Sequence, residues 1–171
     1  TSNQDYFTIP FPGNEGETLD GRLFVMLSTN ENAEPRFQIS DGPKTQLLFG
    51  IDVENWTNGP QTVGNNAYGY PIQQMSAVPA GDYTVQVLFH KYETFTRSDG
   101  HTVKMPMDRG EGQQWNRAPG NLYSTPKKIS FNASSKSLQR VILDQEIQAI
   151  EAPGDPKYIK HIKIKSEKLS E

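Results

Sequence analysis

The run of residues 21–27 constrains the fold of this chain more than any other feature of its sequence. Successive side chains of an extended strand point to opposite sides of a sheet. Leu23 and Val25 therefore face one side and Phe24 and Met26 face the other, so that both sides are apolar. Apolar side chains on both faces favour a position in which other parts of the chain cover the strand twice. The run predicts a β-strand that is buried from both sides.

Other short runs have the same extended character. Residues 83–90 follow a turn that contains Pro79 and Gly81, and they place Tyr83, Val85, Val87 and Phe89 on one face, opposite a more polar face. Further β-type runs, separated by turn signals, span residues 36–39, 46–51, 128–131, 140–143 and 158–164. The 14 glycines and 12 prolines exclude a long-helix or coiled-coil protein. The sequence predicts an all-β sandwich.

The chain divides into three parts. Residues 1–19 are interpreted as an N-terminal extension, 20–151 as the sandwich, and 152–171 as a linker and terminal strand. Residues 138–150 fit a helical stripe about as well as a strand, and their β-branched content favours a strand. Two irregular segments, at about 52–81 and 105–126, are longer than ordinary loops. Their aromatic content predicts that they are ordered.

Composition and charge exclude several classes of function. The net charge of −3 argues against a broad basic surface for nucleic acid, so no nucleic-acid partner is expected. The absence of cysteine excludes disulfides, thiolate nucleophiles and cysteine-ligated metals. No apolar run reaches the roughly 18–20 residues that span a bilayer, so no membrane span is expected.

Catalytic and metal-binding patterns are weak. There is no Gly-x-Ser-x-Gly motif, and His90, His101 and His161 lie in or beside strand-like runs with no serine in a tight turn nearby. The pairs Asp99 with His101 and Asp108 with Glu111 could offer ligands to calcium, but a turn at residues 98–100, in which Asp99 bonds its own backbone, is the simpler interpretation. No pair of carboxylates can be placed for glycoside hydrolysis. We expect no catalytic residue, no metal site and no cofactor.

Aromatic residues in the two long segments suggest two roles. They can pin the segments onto their own sheets, or they can bind a sugar ring or a protein partner. Polar neighbours in the second segment could add directional hydrogen bonds. The candidate ligand or domain-interface residues are Trp56, Tyr68, Tyr70, Arg109, Glu111, Gln114, Trp115, Asn116, Arg117 and Tyr123.

Four stretches carry a resemblance to a known family. They are residues 49–56, 92–101, 107–124, which include Gln-Gln-Trp-Asn-Arg-x-Pro-Gly-Asn-Leu-Tyr, and 157–170. Together they resemble the N-terminal part of bacterial putative esterases, the enterochelin-esterase-like α/β-hydrolases, over about residues 20–170. The resemblance implies an Ig-like (E-set type) β-sandwich that precedes a hydrolase domain. The serine, acid and histidine of that family would lie downstream of Glu171, so none is carried over to this segment.

The expected function follows from this resemblance and from the missing nucleophile. We expect a non-catalytic accessory domain that packs on, or shapes access to, the catalytic domain of a serine esterase through the 105–123 loop and the tail. The alternative is a carbohydrate-binding module that uses the loop aromatics, and a stand-alone enzyme that uses carboxylates is the third hypothesis. The expected partner is the downstream hydrolase domain, with carbohydrate and a second copy of the chain left open. The expected location is secreted or periplasmic.

Overall fold

The computed structural model describes residues 4–151 together with residues 154–155, 157–158, 160, 162 and 164. Its regular elements in this part of the chain are β-strands and two short 3-10 turns, Pro35–Phe37 and Met75–Ala77. No helix there is long and apolar enough to cross a bilayer. The strands are β1 (Asp5–Ile9), β2 (Leu19–Ser28), β3 (Leu47–Trp56), β4 (Gln61–Gly64), β5 (Tyr68–Tyr70), β6 (Gly81–Lys91), β7 (Glu93–Thr96), β8 (Thr102–Met105), β9 (Leu122–Tyr123), β10 (Lys127–Phe131), β11 (Gln139–Arg140) and β12 (Gln145–Glu146).

The larger of the two main sheets is built around β2. Its strand order is β12-β9-β6-β2-β3-β5, and β10 also pairs with β6. Strand β2 is antiparallel to both of its neighbours, so that Leu23 lies opposite Ile51 on one side and Phe89 on the other. The prediction of strands at 21–27, 83–90 and 128–131 is confirmed, as is the all-β sandwich.

The second sheet has the order β11-β1-β4 and faces the odd-numbered side chains of β2. Strand β1 is its central strand, and both Phe7 and Ile9 are fully buried. The rings of Phe7 and Phe131 stack with their centroids 6.2 Å apart, which joins the two sheets. Each such buried side chain contributes about 1.5–3 kcal/mol through removal from water. The sandwich therefore begins at Asp5 and not at residue 20.

A second apolar layer lies on the opposite, outer face of the larger sheet. Met26 and Leu88 point to this face and are fully buried, although they do not belong to the main core cluster. Residues 35–37 contact β2 and β6 on this face, the Trp115 ring meets Phe24 there, and Tyr123 lies opposite Leu88 in the neighbouring strand β9. We call residues 35–37 and 113–124 the outer cover. The prediction that β2 is buried from both sides is thus confirmed: the second sheet covers one face and the outer cover the other.

Several local predictions were wrong. Residues 36–39 begin in a 3-10 turn instead of a strand, because Pro35 occupies the first turn and supplies no N–H to a sheet. The segment 52–81 is not wholly irregular, since it contains the end of β3 and the whole of β4 and β5. By contrast, the preference for strand over helix at 138–150 is confirmed, although the strands β11 and β12 are only two residues long each. The predicted strand at 158–164 is not tested and stays a prediction, because only residues 158, 160, 162 and 164 of that range are described.

One buried glutamine joins the outer cover to the larger sheet. Gln86 is 0% exposed on β6. Its Oε1 accepts a hydrogen bond from the Arg36 backbone N–H at 3.0 Å, and its Nε2 donates to Glu34 Oε2 at 2.8 Å and to the Ser124 carbonyl at 3.0 Å. The Val87 N–H also donates to Ser124 Oγ at 2.9 Å. The two bonds to Ser124 are buried and those to residues 34 and 36 are partly buried, so these polar groups find their partners inside the protein.

We predict that Gln86→Leu destabilises the fold by about 1–3 kcal/mol, because it leaves buried polar groups of the outer cover without a partner. Chemical denaturation followed by circular dichroism measures the loss. The control is Gln145→Leu on β12, where the side chain is exposed and no comparable loss is expected. Equal stability of the two variants would show that Gln86 does not hold the cover.

Candidate functional site

Trp56 belongs to the core and is not a candidate for binding. It is 2% exposed, and its ring lies between Phe11 at 5.4 Å and Phe89 at 5.6 Å, centroid to centroid. Its indole N–H donates to the Gly59 carbonyl at 2.8 Å. Both the ring and the polar atom are therefore used inside the protein. The interpretation of Trp56 as an available ring is wrong for this reason.

Trp115 and Tyr123 are half-buried members of the outer cover. The Trp115 ring packs on Phe24, with centroids 4.9 Å apart. The Arg36 guanidinium lies over the Tyr123 ring at 4.1 Å from its centroid and also contacts Phe37 at 4.4 Å. Such cation–π contacts hold rings in place by about 0.5–1 kcal/mol at partly exposed positions. Both rings thus pin the second long segment to the sheet.

The polar neighbours of Trp115 divide between the cover and the solvent. The Asn116 side chain donates to the Arg36 carbonyl at 3.0 Å, and Arg36 Nη1 donates to the Asn116 carbonyl at 3.2 Å. The Arg117 guanidinium lies 5.5 Å from the Phe37 ring centroid. Gln114 is exposed. The contacts of Asn116 and Arg117 therefore stabilise the cover, while the side chains of Gln114 and Arg117 are both exposed.

Arg109 lies in a cleft of about 560 Å³ at the β9 and β12 edge of the larger sheet. We call it the Arg109 cleft. It forms between the end of β6, the second long segment and the residues that follow β12. Its lining residues are His90, Lys91, Tyr92, Glu93, Met107, Arg109, Ala118, Pro119, Gly120, Asn121, Glu146, Ile147, Gln148 and Ala149.

Charged groups and one half-buried imidazole define the chemistry of the Arg109 cleft. Arg109 Nη2 forms an ion pair with Glu93 Oε1, and the Arg109 backbone N–H donates to Glu111 Oε2 at 2.7 Å. Burial lowers the pKa of His90, and the negative charge of Glu111 opposes this shift. The His90 ring meets the Tyr92 ring edge to face at 5.5 Å. The cleft offers hydrogen bonds and charge for binding.

The hairpin of β7 and β8 forms one wall near the cleft and is tied to β2. Lys104 Nζ donates to Asp20 Oδ1 at 2.8 Å, and the Asn55 backbone N–H donates to the same oxygen at 2.8 Å. The hydrogen bond from Lys104 lowers the pKa of Asp20. This carboxylate therefore joins the hairpin to the ends of β2 and β3.

Tyr68 and Tyr70 remain open at the opposite edge of the same sheet. They are 82% and 48% exposed, and both belong to β5. Tyr68 lies opposite Gly50 and Tyr70 opposite Leu48, so both rings belong to the outer face. The structure thus places the ten candidate residues in four different surroundings. Trp56 is in the core, Gln114, Trp115, Asn116, Arg117 and Tyr123 are in the outer cover, Arg109 and Glu111 are at the Arg109 cleft, and Tyr68 and Tyr70 are on β5. Of the candidate aromatic rings, only the two on β5 are neighbours that are both exposed.

The carboxylates considered for calcium serve their own turns. Asp99 Oδ1 accepts a hydrogen bond from the His101 N–H at 3.0 Å, and Asp108 Oδ1 accepts from the Gly110 N–H at 2.9 Å. Among the residues that the structure describes, no three metal-ligating side chains form a group that could hold an ion. The bond at Asp99 agrees with the predicted turn at residues 98–100, and the structure adds a similar turn at Asp108.

The sequence alone missed most of the lining of the Arg109 cleft. His90, Glu93 and Met107 were not among the candidate interface residues, and neither was Ile147 near the end of the sandwich. The one available signal was that 147–150 is weakly apolar directly before the Pro- and Gly-containing residues 153–154. Comparison with protein-family models, curated proteins and solved structures found no match. Function is therefore inferred from the residues of the site and from the resemblance described above.

We predict that His90→Gln reduces the acid sensitivity of the fold. A folded-state pKa below the usual histidine value means that the stabilising contribution is present above about pH 6.5 and is lost as the pH falls toward the folded pKa. Thermal midpoints measured between about pH 7 and pH 5 at constant ionic strength should fall less steeply for this variant than for the wild type. The exposed His101→Gln serves as control and should keep the wild-type slope. An unchanged slope for His90→Gln would contradict the role of burial at His90.

Proposed function

We propose that this chain is a non-catalytic β-sandwich accessory domain of a serine esterase or related hydrolase, and that the Arg109 cleft contacts the catalytic domain of the same polypeptide. The observation that carries the proposal is the exposed apolar surface at this cleft. Met107 lines it and is 44% exposed, and Met105 at the end of β8 is 46% exposed. Ile150 is 52% exposed and lies beside Gly110.

The composition of this surface is that of an interface between domains of one chain. Exposed methionine and isoleucine side chains stand next to the Arg109–Glu93 ion pair and to backbone amides. Interfaces within a chain bury roughly 600–1,500 Å² and mix apolar and polar groups in this way. Methionine adapts its shape to a partner because it is unbranched and polarizable. The surface is thus suited to a neighbouring domain.

The path of the chain supports the same location. The Gly120 N–H donates to the Ile147 carbonyl at 2.9 Å, and the Ile147 N–H donates to the Asn121 carbonyl at 2.9 Å. These bonds attach the last residues of the sandwich to the second long segment, inside the Arg109 cleft. The continuously described chain, which ends at residue 151, therefore leaves the sandwich beside the Arg109 cleft.

The chemistry of the cleft favours an accessory role over a catalytic one. Its described lining contains no serine, threonine or cysteine that could act as a nucleophile beside His90. Glu93 is engaged with Arg109, and Glu111 accepts a hydrogen bond from the Arg109 backbone. In this proposal the bond-breaking residues belong to the downstream domain, in agreement with the resemblance to the esterase family.

We predict that Met107→Asp weakens docking in the complete natural polypeptide by about tenfold or more, because a carboxylate then enters an apolar contact. The rate of protease cleavage between the sandwich and the catalytic domain measures docking, and it should rise. The same polypeptide should contain a Gly-x-Ser-x-Gly motif downstream of residue 171 and hydrolyse ester substrates.

Leu138→Asp is the matched control. Leu138 is 46% exposed, close to the value for Met107, but it lies next to β11 in the other sheet. Its cleavage rate should equal that of the wild type. Equal cleavage rates for Met107→Asp and the wild type would show that the Arg109 cleft is not the docking surface. The lack of any downstream hydrolase domain would remove the proposed function itself.

A further inference from the structure

The two exposed tyrosines form a short aromatic platform on β5. Side chains two residues apart in a strand share a face and stand about 6.6 Å apart. Tyr68 and Tyr70 are therefore neighbours on the outer face, opposite Gly50 and Leu48 of β3. Gly50 has no side chain to cover the base of the Tyr68 ring. Exposed, adjacent rings of this kind offer flat apolar faces to a ligand.

The backbone under the platform is fixed. Gly69 separates the two tyrosines, and a side chain at this position would overlap the Ile72 carbonyl oxygen and the Phe49 ring. Phe49 itself is fully buried in the core. The Gly69 N–H also donates to the Gln73 carbonyl at 3.0 Å. The rings thus project from a segment that is packed directly on the core, which lowers the entropy lost when a ligand binds.

Side-chain amides surround Tyr68. A cleft of about 600 Å³ is lined by residues 65–69 together with 73 and 74. Gln73 and Gln74 are exposed, and their side-chain amides make no hydrogen bond with the described part of the chain. Each such amide can donate and accept. Asn66, by contrast, is occupied, because it accepts from the Gly64 N–H at 2.8 Å and donates to the Thr62 carbonyl at 3.1 Å.

The charge of the site selects the class of ligand. The lining of this cleft contains no aspartate, glutamate, lysine or arginine. On the same face of the sheet, Arg22 and Asp52 form an ion pair at 3.2 Å with no net charge. An ionic ligand would find no opposite charge there. A neutral ligand with an apolar face could stack on the tyrosine rings, and its hydroxyl groups could form hydrogen bonds with the glutamine amides.

We propose that Tyr68, Tyr70, Gln73 and Gln74 form a binding site for a neutral saccharide chain. Sugar rings stack on the two tyrosines through their C–H faces, and the glutamine amides hydrogen-bond to hydroxyl groups. A proline-rich peptide can also stack on tyrosines, but it would use few of the amide donors. The site goes beyond the proposed docking function and uses none of its residues.

The site is also distant from the Arg109 cleft. Strand β5 is at one edge of the larger sheet and β12 at the other, five strand spacings away. At about 4.8 Å per spacing this separates the two edges by roughly 24 Å. Substitutions at β5 can therefore test saccharide binding without changing the docking surface.

The test is native gel electrophoresis of the 171-residue chain in gels that contain xylan, mixed-linkage β-glucan, soluble starch or galactomannan. We expect at least one of these neutral polymers to retard the protein. Tyr68→Ala should weaken that binding by about tenfold, the usual effect of removing one stacking ring. Tyr68→Phe keeps the ring and should bind within about twofold of the wild type, whereas Gln73→Ala combined with Gln74→Ala should weaken binding. The anionic polymer polygalacturonate should cause no retardation.

Tyr158→Ala is the matched control, since Tyr158 is 87% exposed and lies outside the sandwich. It should bind as the wild type does. Circular dichroism of each variant excludes unfolding as the cause of a loss. The proposal is overturned if none of the four neutral polymers retards the protein, or if Tyr68→Ala and Tyr158→Ala bind equally. Binding of a polyproline peptide at β5 in place of the polymers would also overturn it.

Discussion

The structure depends on the burial of β2 and β6 from both sides. Met26 and Leu88 on their outer face are as inaccessible as Leu23 and Val87 on the inner face. A second sheet covers the inner face, but the outer cover is mostly irregular backbone, whose polar groups must find partners outside a regular sheet. Gln86 supplies them by bonding to segments on either side. The second long segment, which the sequence predicts to be ordered, thus helps to complete the core.

This use of the second long segment decides which of its residues remain available. The Trp115 ring packs on Phe24, and the Tyr123 ring contacts the Arg36 guanidinium, so neither ring is free to bind a ligand. The middle of the outer face is therefore covered. What stays open lies at the two edges of the larger sheet. At one edge the segment leaves the sheet and forms the Arg109 cleft. At the other edge the cover does not reach β5, and its tyrosines stay in solvent. The position of the cover therefore creates both candidate surfaces.

The sequence predicts those parts of the fold that local alternation determines. In β2 and β6 every second side chain is apolar over several residues. The strands, and the face to which each side chain points, can therefore be predicted from the sequence. Strands β1, β4 and β5 were missed because they are short and partly polar, and their stability comes from pairing with distant residues. The same limit applies to the site. Trp56 and Tyr68 both lie in the segment 52–81 that the sequence leaves irregular, but Phe11 and Phe89 bury the first ring, whereas the second is 82% exposed. Exposure of a ring is a long-range property.

If both proposals hold, the domain tethers a catalytic domain to a polysaccharide. A catalytic domain docked at one edge and a saccharide chain held at the other would share one rigid sheet. Tethering of this kind raises the local concentration of a second binding event, up to the millimolar range when the geometry permits both contacts. Weak stacking on two tyrosines is sufficient for such a task, because the tether has only to lengthen residence on a polymer that offers many equivalent positions. The domain would then increase the rate on insoluble or polymeric esters and leave the rate on small soluble esters unchanged.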